Sequence, residues 1–255
     1  MGYEGKVRVN RESGVLQGTR ARARSRTHWG FPAFFAGLGA YHLLTLGMTA
    51  LRSGHASADP FELPDVGPML LLAFLPSLVL GLGPVIASCR WGDGPHADFG
   101  WVPNLRDVKV GLACGGLALL TGYLLNLLLL GVYGVGRVAD GPLGSLAEGV
   151  DAGDTVWLVP AAVIVVAVTP LAEEVLLRGA LWGALEHHRL PPWVIIVLTA
   201  VVFAYLHGEP SRTIALLGQG LAIGVARWRT GRVGAAFVAH AANNFPPALS
   251  LFTGS

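Results

Sequence analysis

The sequence predicts an all-α protein: a polytopic membrane helical bundle of about seven transmembrane helices plus an interfacial segment. Three observations predict it. The 255 residues are 53% hydrophobic and only 13% charged, about half the charge of an ordinary soluble domain, and mean hydropathy is +0.55. The apolar residues gather into runs long enough to cross a hydrocarbon core of about 30 Å. Of the 18 Lys and Arg, 15 fall in segments that such a topology leaves on one side.

Residues 1–29 are polar and Arg-rich, and read as a disordered cytoplasmic arm. Residues 30–255 form the transmembrane domain. Phe31 to Leu51 is the first span. It is too long for the apolar core of a cleaved signal peptide, despite Ala56-Ser57-Ala58 downstream, so it reads as an uncleaved signal anchor. Gly67 to Ser88 is the second. Arg90 to Lys109, with Trp91, Phe99, Trp101 and Pro103, suits a segment lying at the headgroups. Val110 to Gly131 is the third span, followed by a Gly-rich, acidic loop to Asp154. The fourth run, 155–187, would be about 50 Å long as one helix. It must therefore kink at Pro170, tilt, or project beyond the membrane. His187 to Pro192 reads as a turn, with solvated histidines. Spans five to seven are Trp193–His207, Thr213–Ala226 and Val233–Phe252.

With the N-terminus inside, only Arg52, Arg137 and Arg212 face outward, the bias the positive-inside rule requires. The expected location is the cell membrane, multi-pass, with lipid as a constant partner. A net charge of +2 gives no basis for a nucleic-acid partner. Cys89 and Cys114 lack metal-like spacing and read as free or buried thiols.

Within this apolar frame three polar sets stand out. Glu173, Glu174 and Arg178 sit in the fourth span, Phe203 and His207 in the fifth, His240 and Asn244 in the seventh. Charges inside a bilayer are expensive and are retained for function or internal pairing. Glu174 and Arg178 are four apart with the acid N-terminal, the favoured order for an ion pair on one helix face. Glu173 points about 100° away and has no local cation. Glu173 and His207 are equidistant in sequence from Leu190 at the turn, so in a helical hairpin they reach similar depth. His240 and Asn244 share one face of the seventh span. The set offers a general base in Glu173, and imidazole and amide groups for a developing oxyanion. No Ser or Cys nucleophile stands in these motifs, which points to attack by an activated water.

Glu-Glu-x-x-x-Arg, then Phe-x-x-x-His, then His-x-x-x-Asn, in that order on successive hydrophobic segments, resembles the CPBP or Abi family. These are the type II CAAX prenyl endopeptidases and their bacterial relatives. The resemblance covers about residues 155–250. It implies intramembrane proteolysis by a glutamate-type, metal-independent membrane protease. Glu173 would activate water with His207 assisting, and His240 and Asn244 would form the oxyanion site. Glu174, Arg178 and Phe203 would support the geometry. The implied substrate is a peptide or protein, either prenylated or a leader peptide.

Blander readings stand beside these. Each polar set alone is also what a structural helix–helix contact would need. A non-catalytic adaptor or bacteriocin-immunity-type protein would carry the same residues without cleavage. A transporter would call for inverted repeats, and none is evident. Glu173, Glu174, His207 and His240 have the chemistry of zinc ligands. With no His-Glu-x-x-His present, however, neither metal nor cofactor is expected. His42, Asn126 and Gln219 read as interhelical glue, and the Gly111/Gly115 and Gly220/Gly224 pairs as close helix packing.

Overall fold

The computed structural model describes residues 29–52, 68–134 and 155–253. The arm expected at 1–29 therefore lies outside the described residues apart from Trp29, as does most of the loop expected at 132–154. The described residues are helical throughout, with no strand among them. Helix α1 spans Gly30–Arg52. The second expected span is broken into α2 (Pro68–Ala73), α3 (Leu75–Val79) and α4 (Leu82–Trp91). Pro76, Gly81, Gly83 and Pro84 explain the breaks, since they remove backbone donors or favour bending.

The headgroup segment expected from Arg90 to Lys109 is only partly that. It holds a short helix α5 (Pro95–Phe99), but α6 (Leu105–Tyr133) already starts five residues before Val110. The reason is capping. Asn104 accepts from the Asp107 backbone at 2.9 Å, and Asp107 accepts from the Asn104 backbone at 3.0 Å, so two orphan donors at the helix start are satisfied reciprocally. Hydropathy does not register this, because Arg106, Asp107 and Lys109 are polar.

Helix α7 runs from 155 to 187, α8 is Pro192–Leu206, α9 Thr213–Thr230 and α10 Val233–Thr253. Helix α9 outlasts its expected end at Ala226 by about one turn. Among the described residues, four stretches are long and apolar enough to cross a membrane: Gly30–Ala50, Leu71–Trp91, Leu105–Val132 and Val156–His187. Helix α8 is apolar but only 15 residues long. The result is a helical membrane bundle.

Helix α6 packs along α9 and α10, and α8 packs along α9. Glycine makes both approaches possible. A Cβ at Gly111 would lie 2.6 Å from Val238 Cβ, and one at Gly115 would lie 2.8 Å from the Ala239 carbonyl. A Cβ at Gly220 would lie 3.1 Å from Ala200, and one at Gly224 would lie 3.2 Å from Ile196. Gln219 packs over Gly122 across the α6–α9 seam, where a Cβ would meet its amide. His42, by contrast, is exposed and lies edge-on to Tyr41 of its own helix at 5.1 Å, so among the described residues it is not interhelical glue. Helix α1 lies against the second half of α7.

Candidate active site

The site is built on α7, which contains two π-helical stretches, Ile164–Val168 and Val175–Leu181, on either side of Thr169–Glu174. Such stretches concentrate at functional sites. The first answers the question raised by Pro170. The Thr169 N–H bonds to the Ile164 carbonyl, five residues back. In that register the Val165 carbonyl would be served by residue 170, and proline has no N–H. The Asn244 amide supplies the donor instead, Nδ2 to Val165 O at 3.1 Å. The chain thus absorbs Pro170 within a continuous helical run, with α10 repairing the hydrogen-bond ladder.

The second stretch carries Arg178. Its Nη1 donates to Glu174 Oε1 at 2.9 Å, its Nη2 donates to the Gly220 carbonyl at 2.8 Å, and its guanidinium lies 5.2 Å from the Phe203 ring centre. Both charged side chains are fully buried. Burial of such a pair is tolerated when hydrogen bonds replace lost water; here both Nη atoms and Glu174 Oε1 are bonded, whereas Arg178 Nε and Glu174 Oε2 have no hydrogen-bond partner among the described residues. The Arg178 carbonyl accepts from Arg227 Nε at 2.9 Å. Arg227 is itself packed on Trp182, 5.3 Å from its ring centre. Three helices, α7, α8 and α9, are therefore tied at Arg178.

Glu174 Oε1 also meets His240 Nδ1 at 3.0 Å. A carboxylate only accepts, so Nδ1 carries the proton and Nε2 is left with its lone pair when the ring is neutral. His207 is held in the same way, with Nδ1 2.8 Å from the Phe203 carbonyl. His207 follows the last residue of α8 and precedes Gly208, whose φ is +63°. The chain turns away there, which leaves the imidazole at the helix end. Phe203 packs against both rings, at 4.4 Å from His207 and 5.2 Å from His240.

Glu173 completes the group. Its Oε2 is 3.9 Å from His240 Nε2, and one ligand atom each of Glu173, His207 and His240 lies within 4.8 Å of the others. The neighbouring carboxylates differ in access. The Glu173 side chain is 12% exposed and that of Glu174 is 0%. Glu173 is thus the carboxylate that a small molecule can reach.

Every residue of the three polar sets lies in this region. Glu173, His207 and His240 converge; Glu174, Arg178 and Phe203 surround them. Asn244 is held at the Val165 carbonyl, and its Oδ1 accepts from Asn243 Nδ2 at 3.3 Å. Two contributors carry little signal in the sequence: Arg227 sits just past the expected end of its span, and the Gly220 carbonyl has no side chain to mark it.

Residues 155–246 match the family model described as Type II CAAX prenyl endopeptidase Rce1-like. No curated protein and no solved structure matches the chain.

Proposed function

From the match of residues 155–246 to the type II CAAX prenyl endopeptidase family model, we propose that the chain is a member of that family and cleaves a peptide bond with a water activated by Glu173. At family level it is a CAAX-protease-like endopeptidase acting in a membrane environment. The finer reading rests on one observation: the accessible carboxylate of Glu173 faces two histidines whose distal nitrogens are left free by bonds made at Nδ1.

A water beside Glu173 gives its proton to the carboxylate as its oxygen attacks the scissile carbonyl. His207 assists by accepting from the same water or by relaying the proton to the departing amine. The developing oxyanion needs donors. The second Nδ2 hydrogen of Asn244 is one. His240 Nε2 is another when the ring carries both protons. Glu174 and Arg178 act by position, fixing the plane of the His240 ring. No step needs a metal. The substrate is a prenylated protein C-terminus or a leader peptide presented at the bilayer, the protein sits in the cell membrane in several passes, and its N-terminus is cytoplasmic.

The test uses chelator-treated protein in detergent or vesicles, assayed on a prenylated CAAX peptide and on a leader peptide. Glu173→Gln, His207→Ala and His240→Ala should each lower the cleavage rate by about 10²–10⁴-fold. Undiminished cleavage by all three would remove the assignment. A stably expressed Glu173→Gln protein with full cellular phenotype would favour the adaptor or immunity reading instead.

A further inference from the structure

We infer that the end of the bundle where α6 begins and α9 ends binds one anionic phospholipid, its phosphate held by Arg106, Lys109 and Arg229. The inference goes beyond the proposed cleavage and does not depend on it.

The arrangement of charge is the first reason. Arg106 and Lys109 are three apart on α6, so they share a face, and both are exposed. Arg106 Nη2 donates to the Arg229 backbone carbonyl at 2.9 Å. That bond holds the last turn of α9, with its exposed Arg229 side chain, against the first turn of α6. The acid of this turn does not neutralise them. The Asp107 side chain is fully buried, and its Oδ2 accepts from the Asn104 backbone at 3.0 Å and from Arg232 Nε at 2.8 Å. Arg232 is held further by the Val102 carbonyl at 3.0 Å. The Lys109 and Arg229 side chains have no hydrogen-bond or ion-pair partner among the described residues. Three cations thus stand together with their donors open, an arrangement that a bound anion relieves.

Depth is the second and independent reason, and it selects a lipid over a soluble phosphate. The apolar stretch Leu105–Val132 has 28 residues, about 42 Å as a helix, against a hydrocarbon core of about 30 Å. The polar residues Arg106, Asp107 and Lys109 mark the end that emerges, so the cations lie at the headgroups. Around them Leu105, Val102 and Trp228 are 71%, 56% and 53% exposed. A free phosphate gains nothing from that apolar rim, whereas the glycerol and upper acyl chains of a lipid cover it. Trp228 is the interfacial residue such a rim carries. A net negative headgroup is required, because the quaternary ammonium of a zwitterionic lipid would be repelled by the same cations.

The bound lipid bridges α6 and α9. Arg227, two residues before Arg229, donates from Nε to the Arg178 carbonyl at 2.9 Å, so a brace on this seam also steadies α9 against α7.

The experiment uses the full chain, delipidated in detergent. Native mass spectrometry counts the lipid retained when phosphatidylglycerol or phosphatidylcholine with the same acyl chains is added, and thermal unfolding follows each addition. We expect one phosphatidylglycerol per chain, retained in preference to phosphatidylcholine, with a higher midpoint for the lipid-bound protein. Inorganic phosphate at equal concentration should not displace it. Lys109→Gln and Arg229→Gln remove side chains that hold no bond in the fold, and each should weaken retention about fivefold, the usual share of one cation at an anionic surface. Arg229→Lys should keep most of it. Arg90→Gln is the control, since it removes an exposed cation from α4 and should change nothing. Unfolding of each variant without lipid checks that it is folded, and Arg229→Lys serves with Lys109→Gln if Arg229→Gln is not. Equal retention of the two lipids overturns the site, as does an equal loss in Arg90→Gln, which would mean a diffuse charge effect. Displacement by inorganic phosphate overturns the lipid as its ligand.

Discussion

Glu174 Oε1 and His240 Nδ1 lie 3.0 Å apart although 66 positions separate the residues in sequence. The same oxygen takes the Arg178 guanidinium at 2.9 Å, while Glu174 Oε2 is buried with no hydrogen-bond partner. Two adjacent glutamates have thus been given different tasks. Glu174 neutralises Arg178 and orients His240, and Glu173 is the accessible carboxylate.

That division predicts opposite signatures for the two isosteric variants. Glu174→Gln keeps an acceptor for both hydrogen bonds but removes the charge, leaving Arg178 buried without a counter-ion. Breaking such a buried pair costs about 3–5 kcal/mol. Thermal unfolding in detergent should show a large fall, with any remaining folded protein binding and cleaving poorly. Glu173→Gln should unfold within a degree or two of the parent yet lose cleavage. Equal losses of stability in the two variants would contradict the division.

Arg178→Lys should behave as a severe substitution rather than a conservative one. The guanidinium reaches Glu174 and the Gly220 carbonyl through separate nitrogens and lies against Phe203. An ammonium is a single compact charge and does not reproduce that fork. Loss of one charge-assisted hydrogen bond costs about 1.5–3 kcal/mol. Chemical denaturation should report a loss of this order, and a lysine variant as stable as the parent would show that the Gly220 link contributes little.

Much of this site is legible in sequence because local rules govern it. The four-residue spacing of Glu174 and Arg178 is a helix-face rule, and the pairing holds at 2.9 Å. The equal distances of Glu173 and His207 from Leu190 follow from hairpin geometry, and their ligand atoms lie within 4.8 Å of each other. The glycine pairs of α6 and α9 face the helices they must approach. What hydropathy does not carry is register and capping. The π-helical stretches shift the phase of α7 without changing its composition. The Asn104–Asp107 box moves the start of α6 into polar sequence. Arg227 reads as a loop residue until α9 proves to run to Thr230, where the cation can reach the Arg178 carbonyl.

The packing of α6 yields a contrast within five residues. Gly111 admits no Cβ without moving Val238 and the Ala235 carbonyl, whereas a Cβ at Gly116 meets nothing within 4 Å. Gly111→Val should destabilise by about 1–3 kcal/mol through overpacking. Gly116→Ala should be neutral or stabilise by up to about 1 kcal/mol, from helix propensity alone. Unfolding midpoints of the two variants check this, and a tolerated Gly111→Val would mean that α10 can retreat from α6.

Asn244 offers the sharpest separation of structure from chemistry. Its Nδ2 donates to the Val165 carbonyl at 3.1 Å, replacing the N–H that Pro170 lacks. Asn244→Ala should leave that carbonyl unpaired at a cost of about 1–3 kcal/mol, and should also slow cleavage if the second amide hydrogen serves the oxyanion. Adding Pro170→Ala restores a backbone N–H within reach of Val165. The double variant should therefore recover part of the lost stability, with a coupling energy of at least about 0.5 kcal/mol in the cycle with the single Pro170→Ala protein. The single variant also corrects for the unfolded-state effect of removing proline. Cleavage should stay slow in the double variant, because the backbone can mend the ladder but cannot replace an amide aimed at the substrate. Recovery of both stability and rate would assign Asn244 to the helix alone.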